Sequence, residues 1–209
     1  MYTTDGLHLS NNDALRLNDQ DALLLIDLQR DFLPGGALGV AGGDRVLPVV
    51  SDLIALFTAR KRPIVATRDW HPPKHCSFRP QGGPWPPHCI QNTPGAGWSP
   101  ELNLPPSTLI VSKGSAISPD AYSGFQGTDL GQKLHSLNCR RLFVAGLATD
   151  YCVLQTVLDA RQLGFDVQVV EDAIRAVDVN PGDGIRALDR MLDAGAELIT
   201  LQDLIDANP

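Results

Sequence analysis

The chain has little cysteine: four in 209 residues, Cys76, Cys89, Cys139 and Cys152, too few and too scattered for the disulfide framework of a small secreted protein. A reduced, cytoplasmic protein is expected. No apolar run approaches the roughly twenty residues that cross a bilayer, and the first twenty residues have neither the basic nor the apolar region of an export signal. An excess of positive charge is missing too. The net charge is −7 with both signs interspersed, which argues against nucleic acid or an anionic membrane as the main partner. Internal repeats and low-complexity tracts are absent, so one domain over 1–209, with 1–20 as an N-terminal extension, is expected.

What is present is an alternation of short apolar runs with longer amphipathic segments. Residues 22–26, 63–67, 108–112, 141–145, 167–170 and 198–201 read as strands, and 44–60, 128–137, 150–163 and 181–194 as helices. This is the pattern of an α/β protein with a six-stranded, mostly parallel sheet covered on both faces. The stretch 69–106 is rich in proline and glycine and poor in either period, and an irregular segment that long in a compact domain is usually functional.

Ligands of open α/β sheets bind beyond the carboxyl ends of the strands. Here the first strand ends at Asp27, the second at Asp69 with His71 behind it, the third at Lys113, and the fourth runs through a turn to Cys152. Asp27 after five apolar residues is a candidate general base with a raised pKa, or else a turn cap. Cys152, with Thr149 or Asp150 as N-cap, is a candidate nucleophile whose thiolate the helix start would favour, or else a small core residue. Lys113 is either part of this group or a lysine whose stem covers the sheet.

Three of the five histidines, His71, His75 and His88, lie with Asp69 in one short proline-rich window. Imidazole with carboxylate suits a divalent ion, zinc first, with iron or manganese as overlapping choices. A closed zinc site using Cys76 and Cys89 lacks the usual C-x-x-C spacing and leaves Asp69 and His71 without a role. Phe32, Trp70, Trp85 and Tyr122 stand in loops beside these polar residues and are candidates to wall a flat pocket. His8 and His135 stand alone.

The blocks Asp27-Leu28-Gln29-Arg30-Asp31-Phe32, Arg68-Asp69-Trp70-His71, Trp85-Pro86-Pro87-His88-Cys89, Lys113-Gly114, Ala121-Tyr122-Ser123-Gly124-Phe125 and Gly146 through Val153 together resemble the nicotinamidases, also called pyrazinamidases, of the isochorismatase-like hydrolase superfamily. The resemblance implies a three-layer α/β/α fold with a Rossmann-like sheet and a metal-dependent amidohydrolase that turns nicotinamide into nicotinate and ammonia. By resemblance Asp27, Lys113 and Cys152 are the catalytic triad. Asp69, His71 and His88 are metal ligands, with His75 a further ligand or near-ligand. The backbone N–H groups of Ala148 and Cys152 make the oxyanion hole, with a cis peptide before Ala148. Phe32, Trp85 and Tyr122, and at most Tyr151, line the substrate pocket. Two other readings stay open: a cysteine amidohydrolase for another small amide of carbamoyl or maleamate type, and a zinc hydrolase in which Cys152 is structural. A homo-oligomer is also left open.

Overall fold

The computed structural model describes residues 14–209, so His8 and most of the expected extension at 1–20 lie outside the described residues. Six strands form one sheet: β1 Asp21–Ile26, β2 Ile64–Asp69, β3 Leu109–Lys113, β4 Arg141–Leu147, β5 Asp166–Arg175 and β6 Glu197–Ile199. Their order is β3-β2-β1-β4-β5-β6 and every neighbouring pair is parallel. The α-helices are α1 Val46–Ala59, α2 Leu130–Ser136, α3 Leu154–Gln162, α4 Asp183–Asp193 and α5 Leu201–Ala207.

Alternation along β1 divides the core in two. Leu23 and Leu25 face Phe57, Val50 and Leu53 of α1 and Leu204 of α5, while Ala22, Leu24 and Ile26 face Leu134 of α2, Val157 of α3 and Met191 of α4. A strand covered on both sides buries all its residues, which is why β1 reads as an unbroken apolar run. No helix among the described residues is long and apolar enough to cross a membrane.

Several boundaries differ from the sequence reading, and tertiary pairing explains most of them. β2 continues to Asp69 because Arg68 and Asp69 pair with Ser112 and Lys113 of β3. β5 runs on to Arg175 because it rejoins β4 after an irregularity between Val144 and Gly146. The last strand is shorter than expected, since Thr200 starts α5: its hydroxyl accepts the Asp203 N–H and the Asp203 carboxylate accepts the Thr200 N–H.

β1 and β4 lie side by side at the centre of the sheet, but the chain leaves β1 towards β2 and leaves β4 towards β5. The loops therefore part in opposite directions, and the crevice between them is where doubly wound sheets bind ligands. The two strands meet closely there. Gly146 has φ +125°, and a Cβ on it would lie 2.1 Å from the Ile26 carbonyl oxygen, so only glycine fits.

Candidate active site

Asp27, the first residue beyond β1, takes the left-handed conformation (φ 49°) and turns its carboxylate under the crevice, fully buried. Its Oδ1 accepts a hydrogen bond from Thr67 Oγ1 at 2.7 Å. Its Oδ2 is 2.8 Å from Lys113 Nζ, a fully buried ion pair. Lys113 ends β3 and is 1% exposed. Besides Asp27, its ammonium donates to Asp69 Oδ1 and lies 3.4 Å from both Cys152 Sγ and the Ala121 carbonyl oxygen. Three strand ends thus converge on one ammonium.

Cys152 sits inside a π-helical turn, Thr149–Val153, that joins β4 to α3. The turn has no side-chain cap, which corrects the expected N-cap role for Thr149 or Asp150. The Asp150 carboxylate instead accepts the N–H groups of Val177 and Asp178, each at 2.9 Å. The Leu147–Ala148 peptide is cis, and Ala148 and Cys152 both line the crevice.

Burial dominates the electrostatics. It pushes the Cys152 thiol well above its ordinary value, with Lys113 opposing and the Asp27 and Asp69 carboxylates assisting. Burial thus opposes the thiolate that a helix start would favour. Burial also raises Asp27, against the pull of Lys113. For Asp69 burial acts the same way, but the Lys113 charge and the adjacent His71 and His88 rings outweigh it and hold the carboxyl well below its usual range. Lys113 loses to burial and gains more from Asp27 and Asp69, so it stays charged.

Asp69, His71 and His88 each bring one ligand atom to within 4.8 Å of the others. The Nε2 atoms of His71 and His88 lie 3.4 and 3.8 Å from Asp69 Oδ2, close to the roughly 3–3.5 Å that separates ligands on a metal with bonds near 2.1 Å. Each ring is oriented from behind: Nδ1 of His71 donates to the Gly114 carbonyl at 3.0 Å and that of His88 to the Pro86 carbonyl at 2.8 Å, which leaves both Nε2 lone pairs facing inward. Gly114 must be glycine, as a Cβ would lie 2.4 Å from the His71 ring. The donor set and its orientation therefore fit a divalent ion.

His75 falls in a different group. Its ring stacks on His71 with centroids 4.0 Å apart, its Nδ1 meets Ser77 Oγ at 2.7 Å, and its buried Nε2 has no partner and groups with His71 and Asp120.

Phe32, Trp85, Tyr122 and Tyr151 line one cavity, with Asp69, His71, His88, Ala148 and Cys152 around it. Trp85 Nε1 donates to the Tyr122 hydroxyl at 2.9 Å, and Tyr151 packs edge-on against Trp85. Trp70 is not in this wall. It follows the last residue of β2, packs on the core, and carries the Arg68 guanidinium 3.8 Å over its ring.

Sequence reasoning missed Leu38, Val40, Asp120 and Val177, which also line the cavity. It also gave no role to Gln29. This fully buried side chain accepts the Asp69 N–H at 2.7 Å and donates to the carbonyls of Asp69 at 2.8 Å and Ala96 at 2.9 Å. Where β1 has left the sheet, the amide takes the place of a strand neighbour and fixes the backbone of Asp69. Gln29→Leu would leave buried polar groups unpaired and is expected to cost about 2–5 kcal/mol, read as a lower urea midpoint.

The fold and site define a class of buried-cysteine α/β enzymes with a metal-ligand set beside the thiol. A model of the isochorismatase domain matches residues 21–203, and the chain belongs to that family. It is 41% identical to the nicotinamidase of Escherichia coli strain K12 over 203 residues, covering 87% of this chain and 95% of that one. Among solved structures it is similar to the pyrazinamidase of Pyrococcus horikoshii in complex with zinc, with TM-score 0.83, 46% identity, and coverage of 87% and 99%. It is also similar to a protein of L. infantum in complex with nicotinate, with TM-score 0.84, 37% identity, and coverage of 93% and 98%.

Proposed function

We propose that this protein is a nicotinamidase that hydrolyses nicotinamide to nicotinate and ammonia, and that it also accepts pyrazinamide. The observation that carries this reading is the convergence of the buried Asp27 and Lys113 on Cys152, which lines an aromatic cavity together with Asp69, His71 and His88. The relatives' activities support the same substrate class.

The Asp27 carboxylate, which has an oxygen within 4.8 Å of the Cys152 sulfur, takes the proton of the thiol as Sγ attacks the carboxamide carbon. The carbonyl oxygen becomes an oxyanion held by the backbone N–H groups of Ala148 and Cys152. Collapse of this intermediate breaks the carbon–nitrogen bond, and the proton on Asp27 goes to the departing ammonia. Asp27, again a carboxylate, removes a proton from water as it adds to the thioester. Breaking the carbon–sulfur bond releases nicotinic acid as the proton on Asp27 returns to sulfur, and the carboxyl proton passes through solvent to ammonia, leaving nicotinate and ammonium. Throughout, Lys113 keeps Asp27 in place and its positive charge favours the developing thiolate.

Asp69, His71 and His88 would hold the divalent ion, zinc in our reading, with His75 bracing His71 from behind. When bound, such an ion supplies a Lewis acid for the pyridine nitrogen and so orients the ring. Phe32, Trp85, Tyr122 and Tyr151 enclose the ring and exclude water.

Ammonia release from nicotinamide, measured together with the metal content of the purified protein, tests the reading. No turnover of nicotinamide in a metal-loaded, folded sample would overturn it. His71→Ala and His88→Ala are each expected to lower both metal content and turnover by at least about 10-fold, with Cys152 still open to alkylation. Loss of that alkylation would place the histidines in the thiol chemistry instead.

A further inference from the structure

Tyr151 is the one described residue that lines both the catalytic cavity and a second, polar groove. The groove lies at the start of α4 and is bordered by Asn180, Asp183, Arg186 and Arg190. We propose that Tyr151 is a specificity-determining residue: its ring is the partition between cavity and groove, and it confines the enzyme to pyridine carboxamides without a long ring substituent. The inference rests on the nicotinamidase reading and extends it from the reaction to the range of substrates.

Three observations support the partition. Tyr151 precedes the nucleophile, so a substituent that passed its position would leave from a ring already seated against Cys152. The rest of the aromatic wall does not depend on it, because Trp85 and Tyr122 are joined by their own hydrogen bond, while Tyr151 meets them only through ring contacts at 5.0 and 5.7 Å. The turn below it is pinned by the Asp150 carboxylate to the N–H groups of Val177 and Asp178, so the backbone stays in place when the ring is removed.

Groove chemistry indicates which substituent would be accepted. Asp183 is engaged by Arg186 at 2.6 Å and by the Asn180 N–H at 2.8 Å, and Asp150 by its two backbone donors. Arg190 pairs with no carboxylate among the described residues and is the groove's free cation. An arm ending in a carboxylate is therefore favoured over one ending in a hydroxyl.

The test compares nicotinamide with pyridine-3-carboxamides carrying a hydroxybutyl or a carboxybutyl arm meta to the carboxamide, in the wild type and in Tyr151→Ala. In the wild type, kcat/KM for both armed substrates should fall at least about 100-fold below that for nicotinamide. In Tyr151→Ala the KM for nicotinamide should rise, and the ratio of armed to plain substrate should increase by about 10-fold or more. The carboxybutyl compound should gain more than the hydroxybutyl one, and Tyr151→Ala/Arg190→Gln should remove that difference. An unchanged ratio in a Tyr151→Ala protein that still hydrolyses nicotinamide overturns the proposal, as does a wild type that accepts either arm.

Alkylation of Cys152 gives a readout independent of turnover. The rate with a bulky maleimide relative to iodoacetamide should rise in Tyr151→Ala and, more weakly, in Tyr151→Leu. If that ratio rises but the wild type leaves nicotinamide intact, the nicotinamidase reading fails and the partition stands. If it stays constant in both folded variants, the partition fails.

Discussion

Cys152→Ala is expected to reduce ammonia release from nicotinamide by on the order of 10⁴-fold or more, because no other group beside the carboxamide supplies a nucleophile. Cys76→Ala, which changes a half-buried free thiol outside the cavity, is expected to stay within a few-fold of wild type. Equal activity in the two variants would remove Cys152 from the chemistry and favour a metal-hydroxide reaction. The pH dependence follows from the same geometry. Burial moves the Cys152 thiol upward, away from the acid range, so the ionisation that matters on the acid side is that of Asp27. Since burial raises Asp27, the acid limb of kcat/KM should lie above the ordinary carboxylate value of 3.8, with activity present above it and lost as pH falls through it. Asp27→Asn should abolish that limb along with most of the turnover.

Lys113→Met is expected to be the most damaging change to the fold itself. The ammonium is 1% exposed and neutralises two buried carboxylates, Asp27 at 2.8 Å and Asp69 on its other side. Those carboxylates and the Cys152 sulfur bring atoms within 4.8 Å of one another. Without the cation, two like charges face each other in a dry site, a loss of about 3–5 kcal/mol. For a chain of this length that corresponds to a fall in Tm of roughly 6–20 °C. One of the two carboxyls should then take up a proton, so any remaining activity should have its acid limb moved upward. Lys113→Arg should not rescue it, because a planar guanidinium cannot replace a compact ammonium that meets two carboxylates and a sulfur from one point. An unchanged Tm in a folded Lys113→Met protein would show that the buried pair is not held together in this way.

The groups legible in the chain are those whose position follows from local rules. Asp27 and Lys113 close largely apolar runs and Asp69 lies just beyond one, so the runs themselves place these charged residues near the strands' carboxyl ends. Cys152 follows a strand through a short turn, and Asp69, His71 and His88 share one stiff loop. Strand boundaries were less legible. β2 and β5 extend by pairing with neighbours far away in the chain, and Thr200 becomes a helix cap only because β6 stops at Ile199.

Other features had no local signal. Gln29 reads as one more polar loop residue until the chain leaves β1 and its amide becomes the strand neighbour of Asp69. Trp70 looked like a pocket aromatic by proximity, yet its side chain leaves on the opposite side from Asp69 and His71, to stack under Arg68. The thiolate expected at Cys152 meets opposition for a related reason. A helix start favours a negative charge near its own axis, but burial beside two carboxylates raises the thiol, and neither the burial nor the carboxylates can be read from the residues around position 152.

The sequence by itself determined the alternation of strands and helices, the residues standing at the strand ends, and the short loop that holds three metal-type ligands. These depend on periodicity and chain neighbours. Only the tertiary structure decided that Lys113 lies between Asp27 and Asp69, that His75 stacks on His71, and that Tyr151 lines both the catalytic cavity and the groove beside it. Those relations join elements far apart in the chain, and they arise only when a parallel sheet brings its strand ends to one edge.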